Sequence, residues 1–175
     1  MRKGGKIYLD FVVDKLTNSI QNTISGDSFT TEVSLLTKSD IKQVTKINGW
    51  NFNWKEEFNN KAREVYKLTI VNNPEIIQGL LSLTVKADHI YMNLIESAPF
   101  NLGRNKLYEG VPGNLVAFAA KISFENGFNG FISFTAKTKL ISHYEKTLGA
   151  YHFGNHLMIM STNASQYLID KYFKS

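Results

Sequence analysis

The run Arg104-Asn105-Lys106-Leu107-Tyr108-Glu109-Gly110-Val111-Pro112-Gly113-Asn114 carries the plainest chemical signal in this 175-residue chain. Two glycines and a proline sit where a strand has ended and a helix begins. The first backbone N–H groups of a helix have no internal partner, and the helix dipole adds partial positive charge there. Such a terminus binds phosphate. Arg104 and Lys106 add side-chain charge. An ordinary loop with proline in the first helical turn has the same composition, and isolated Gly-x-x-Gly is common.

Other candidate groups are fewer. Glu96 follows Ile90, Met92 and Leu94 at period two, so a carboxylate interrupts an apolar strand face near its end. An edge or loop-facing carboxylate without a task reads the same way. Tyr144 falls on the helical stripe Leu140, Ile141, Tyr144, Leu148, the pattern of a core aromatic. His89, His143, His152 and His156 show no zinc spacing with carboxylates. No Gly-x-Ser-x-Gly, Walker loop or dinucleotide fingerprint occurs in context.

The elements that must hold these groups follow from periodicity and turn chemistry. The first 36 residues are ambiguous. Ile7, Leu9, Phe11 and Val13 alternate as in a strand, whereas Val13, Leu16 and Ile20 recur at helical spacing. Ser25-Gly26-Asp27-Ser28 predicts a turn, and Phe29–Leu36 has strand composition. Thr37-Lys38-Ser39-Asp40 has capping-box form, predicting a helix with Ile41, Val44 and Ile47 on one face and Asn48-Gly49 at its end. The aromatics of Trp50–Trp54 suit a ligand wall or, more commonly, a core plug, with a short helix over Trp54–Ala62. Val65–Val71, Ile76–Val85 and Ile90–Ser97 read as an antiparallel meander that Pro99 ends. Asn114–Asn126 is the clearest helix, closed by Gly127. A strand over Phe131–Thr135, a helix over Thr138–Thr147, a strand over Tyr151–Ser161 and a helix over Thr162–Phe173 complete the chain. A strand–helix–strand unit of this length implies a parallel pair with a right-handed crossover.

Composition excludes several classes. The apolar share is 43% and the charged share 20%, ordinary for a globular domain. There are no cysteines, which removes disulfides, thiolate nucleophiles and Cys-ligated metals. The formal charge of +5 favours anionic partners, yet the basic residues are scattered. The amino terminus, Met1-Arg2-Lys3-Gly4-Gly5-Lys6, is basic, and Ile7–Val13 is too short to span a membrane. No signal-peptide pattern stands out, so a soluble, cytoplasmic protein without membrane contact is expected. No basic-aromatic strand pattern or helix-turn-helix points to nucleic acid. With no repeat or linker, residues 1–175 read as one α/β domain.

From Ile90 to Ser161 the order of elements resembles the core of the GNAT superfamily of N-acetyltransferases. Ile90–Pro99 is similar to that family's fourth strand, and Gly110–Gly127 to its pyrophosphate loop and helix. The run Thr138–Ala150 resembles its helix carrying Tyr-Glu-Lys. The resemblance implies a mixed, mostly antiparallel twisted sheet with a central splayed parallel pair flanked by helices. Residues 65–161 would form the core with the coenzyme A site, and residues 1–60 the acceptor side. It implies transfer of an acetyl group from acetyl-CoA, without a metal, directly to a primary amine. Tyr144 would be the general acid and Glu96 the candidate base. Arg104, Gly110, Val111, Gly113, Asn114 and Lys137 would hold the coenzyme. The family's Gln/Arg-x-x-Gly-x-Gly/Ala loop is here Leu107-x-x-Gly110-x-Pro112, so an inert acyl-CoA- or protein-binding module is the alternative. The acceptor amine is unassigned, and a homodimer is left open.

Overall fold

The computed structural model describes residues 7–17 and 19–173; the basic run Met1–Lys6 lies outside them. The strands are β1 (Ser19–Asn22), β2 (Ser28–Leu35), β3 (Glu64–Ile70), β4 (Gly79–Val85), β5 (Ile90–Ser97), β6 (Tyr108–Glu109), β7 (Ile132–Thr135), β8 (Tyr151–Gly154) and β9 (Leu157–Met160). The helices are α1 (Lys38–Ile41), α2 (Trp54–Asn59), α3 (Val111–Glu125), α4 (Ile141–Leu148) and α5 (Thr162–Phe173). One nine-stranded sheet runs in the order β6-β1-β2-β3-β4-β5-β7-β9-β8. Every neighbouring pair is antiparallel except β5 and β7, which run parallel around α3. The mixed α/β architecture with one central parallel pair is the one expected.

Apolar side chains of the sheet and of α3 make one core, in which Leu80, Leu81, Ile90, Met92, Leu115, Val116 and Phe134 are fully buried. The meander forms because each connection is short and polar: Asn72 takes φ +70° before Pro74, and the backbone of Lys86 and His89 closes the next turn. Gly127 at φ +78° ends α3 as the glycine position predicts.

Three elements differ from expectation. The helix begun at Thr37 does cap as a box, with Thr37 Oγ1 accepting from Asp40 N–H and Asp40 accepting from Thr37 N–H. It stops at Ile41, and Ile47 is 97% exposed. Thr45 diverts the chain: its hydroxyl accepts from Asn48 N–H and its carbonyl from Trp50 N–H. That local closure outcompetes a second helical turn. The strand expected over Tyr151–Ser161 is a hairpin, turned back where Gly154 (φ +119°) and Asn155 (φ +50°) occupy left-handed backbone. Residues 7–16 form neither a sheet strand nor a helix. Leu9 makes one parallel bridge to Ala136, and Leu9, Phe11 and Val13 are buried while Tyr8 and Val12 are exposed. The period-two pattern is kept in burial alone.

Candidate active-site cleft

The ladder between β5 and β7 lasts two residue pairs, Ile90↔Ile132 and Tyr91↔Ser133, and then stops. Beyond it the strands part, and residues 9–14 lie in the opening. Leu9 N–H donates to the Thr135 carbonyl (2.7 Å), and Lys137 N–H donates to the Leu9 carbonyl (3.0 Å). On the other side, Asp10, Phe11, Val12 and Asp14 share a cavity of about 410 Å³ with Ile95, Glu96 and Ser97 of β5.

The amino-terminal end of α3 faces this segment. Gly110 caps the helix at φ +102° without a capping side chain, and a Cβ there would meet the Ser19 carbonyl oxygen at 2.9 Å. Gly110 N–H donates to Asp14 Oδ1 (2.9 Å), and Lys106 Nζ pairs with Asp14 Oδ2 (3.0 Å). Two donors thus converge on a carboxylate. Arg104, the expected cation of this loop, is exposed, and Lys106 is the loop cation that pairs with Asp14. The spacing of the loop could not separate them, because both lie upstream of Gly110.

The remaining loop residues are turned to the protein's own chain. Val111 is buried. Gly113 presses against α5 and residue 15: a Cβ there would lie 2.0 Å from Tyr172 Oη and 2.8 Å from the Lys15 carbonyl oxygen. Asn114 is buried and its amide donates to the Gly110 carbonyl (2.7 Å) and the Ser19 carbonyl (3.2 Å), tying α3 to β1. Lys137 Nζ pairs with Asp10 (2.8 Å).

Tyr144 sits at the cleft floor, fully buried, and its hydroxyl donates to the Phe11 carbonyl (2.7 Å). Its ring stacks on Phe11 with centroids 4.6 Å apart and meets Phe134 edge-on. Burial, with Asp10 nearby, pushes its hydroxyl well above the usual tyrosine range, so it holds its proton. His143, the next residue, turns its Nε2 to accept from Val13 N–H (2.9 Å). Burial pulls His143 below its ordinary pKa, which keeps that nitrogen an acceptor.

Glu96 is buried at the far side of the same cavity. Asn51 N–H (2.7 Å) and Phe52 N–H (3.4 Å) donate to its carboxylate, as does Trp54 Nε1–H (2.7 Å). Trp54 is 1% exposed, so the aromatic cluster is a core plug whose indole also pins a carboxylate. Phe11, whose ring stacks on Tyr144, lines the same cavity as Glu96. Sequence reasoning missed Asp14 and His143 as cleft residues; the alternation of residues 7–13 was the available signal.

Among the described residues no group of three His, Asp or Glu could hold a metal ion, and no helix is long and apolar enough to cross a membrane.

No protein-family model matches the sequence, and comparison with curated proteins gives no match. Solved structures do match in fold. The spermidine/spermine N-acetyltransferase SpeG from Vibrio cholerae superimposes with a TM-score of 0.57 at 13% identity, over 79% of this chain and 98% of that one. A mutant AtaT toxin bound to the C-terminus of the antitoxin AtaR gives 0.56 at 16% identity, over 79% and 97%. The ribosomal-protein-S18-alanine N-acetyltransferase from Escherichia coli gives 0.52 at 14% identity, over 75% and 92%. A structure of AtaTR bound with AcCoA gives 0.55 at 16% identity, over 79% and 98%. What overlaps with these structures is a mixed α/β domain whose curled, mostly antiparallel sheet has one parallel pair, β5 and β7. The chain has the GNAT fold.

Proposed function

We propose that this protein is an acetyltransferase that moves an acetyl group from acetyl-CoA to a primary amine by direct attack. The observation that carries the reading is the two-pair ladder of β5 and β7, with the amino terminus of α3 at its open end. The fold neighbours support it: they are N-acetyltransferases or a toxin, and one holds AcCoA. The donor set suits the coenzyme in kind, because Gly110 N–H and Lys106 Nζ already converge on an anion, the Asp14 carboxylate. A phosphate oxygen makes the same demand. When bound, acetyl-CoA supplies an activated thioester. Gly110 N–H and Lys106 hold its phosphates at the start of α3, and Lys137 adds charge. Tyr144 Oη holds the proton that a departing thiolate takes up. Glu96 receives the ammonium proton directly or through one water.

A second reading, an inert acyl-CoA- or protein-binding module, is favoured by the filling of the cleft by residues 9–14. One assay separates the two. The protein is incubated with acetyl-CoA and, in turn, a polyamine, a peptide with a free amino terminus and a small primary amine. Coenzyme A thiol release and product mass are followed. Acetylated amine with stoichiometric thiol supports the enzyme; coenzyme A binding without transfer to any of the three supports the module.

A further inference from the structure

The segment in the cleft has the chemical outline of what the cleft would bind. Residues 9–13 alternate buried and exposed, Leu9 gives its N–H to the Thr135 carbonyl and its carbonyl to the Lys137 N–H at the β7 edge, and Asp14 ends the segment in a carboxylate on the α3 donors. An acyl-pantetheine arm is likewise a chain of amides that ends in an anion. We infer that residues 9–14 are an intramolecular plug that occupies the acetyl-CoA site and must leave before the coenzyme enters. The inference rests on the proposed function and adds its regulation.

The plug is held from three sides. Its backbone pairs with Thr135 and Lys137, and Val13 N–H donates to His143. Its apolar face packs inward, with Phe11 on Tyr144 and Phe134. Its acidic end takes Gly110 N–H and Lys106. Three contacts use a group with a proposed task in transfer. The Phe11 carbonyl engages the Tyr144 hydroxyl, Asp10 pairs with Lys137, and Asp14 covers the phosphate donors. The remaining face is open: Tyr8 and Val12 are exposed, and the segment borders the 410 Å³ cavity beside β5. A segment with a single bridge to the sheet and no ladder of its own opens locally at lower cost than the sheet. Apparent coenzyme affinity is then the intrinsic affinity reduced by the fraction of molecules with the plug out.

The test uses coenzyme A alone, titrated calorimetrically into the full chain and into Asp14→Asn. Removing the charge breaks the ion pair with Lys106 and weakens the hold on Gly110 N–H without altering either, so coenzyme A should bind about ten-fold tighter. Saturating coenzyme A should also speed amide hydrogen exchange at Leu9, whose partner is the Thr135 carbonyl. If Asp14→Asn does not fold, Phe11→Ala weakens the same plug from its apolar side and should tighten binding in the same sense. Binding to the unaltered chain with Leu9 protection unchanged, and affinity unchanged or weaker in the variants, would overturn the plug and leave the acetyltransferase reading standing. Absence of coenzyme A binding in the folded chain and its folded variants overturns both.

Discussion

Glu96→Gln separates the two tasks open to this carboxylate, because the structure assigns it a mechanical one whatever its chemistry. The Asn51 and Trp54 donors each lie 2.7 Å from its oxygens, and the Phe52 N–H lies 3.4 Å away. Hydrogen bonds to an ionised group contribute about 1.5–3 kcal/mol each. An amide keeps one acceptor oxygen and points an NH₂ at donors, so one short bond is lost and one donor is opposed. The expected loss of stability is about 2–4 kcal/mol, a fall of roughly 5–15 °C in melting temperature for a chain of this size. Trp54→Phe removes the indole donor and leaves the carboxylate, and the double variant completes a cycle with a coupling of about 1–2 kcal/mol. Thermal unfolding followed by circular dichroism reads all four proteins. A Glu96→Gln melting temperature within about 1 °C of the parent would refute the three-donor geometry. Below the melting transition, base function has its own signature. The acidic limb of the pH–rate profile vanishes in Glu96→Gln and survives in Trp54→Phe. Retention of that limb at the same apparent pKa in Glu96→Gln would move the base elsewhere.

Tyr144→Phe keeps the ring stacked on Phe11 and deletes the hydroxyl. Turnover on a working amine should fall by about 10² or more, with roughly 1–2 kcal/mol lost through the unpartnered Phe11 carbonyl. Steady-state kinetics and chemical denaturation read the two effects separately. Gly113→Ala places a methyl group where Tyr172 Oη and the Lys15 carbonyl stand, so α5 or residue 15 must shift. A loss of about 1–3 kcal/mol, measured by urea unfolding, is expected from such overpacking. His143 binds a proton less readily in the folded protein than in the unfolded chain, because burial lowers its pKa from 6.5. Its contribution is complete above about pH 6.5 and is lost as pH falls through the lowered folded value. Melting temperature should therefore decline on acidification below that point. His143→Gln, which still accepts from Val13, should lack this component of the decline.

Periodicity and turn chemistry made much of the fold legible. Ile90–Ser97 and Thr162–Phe173 were readable to the residue, since apolar alternation and an amphipathic run are each set by local geometry. The capping box at Thr37 was readable for the same reason. The extent of its helix was not, because Thr45 bonds compete with helical ones at nearly equal energy and tertiary packing decides between them. The hairpin within 151–161 was hidden by apolar residues on both flanks of Gly154-Asn155.

The candidate site divides along the same line. From the sequence alone came the phosphate-type loop before α3, a carboxylate at the end of β5 and a tyrosine on α4, since each is a short-range pattern of residue types. Their arrangement about residues 9–14 was decided only in three dimensions. Leu9 to Asp14 alternate like an ordinary strand, and no local rule says which strand edge such a segment will choose. The premature end of the β5–β7 ladder leaves an open edge, and Thr135, Lys137, Tyr144, His143 and Gly110 converge there from three separate stretches of chain. Unpaired backbone groups buried at such an opening cost about as much as lost hydrogen bonds. On the β7 side the folded chain pairs the Thr135 carbonyl and the Lys137 N–H with its own Leu9.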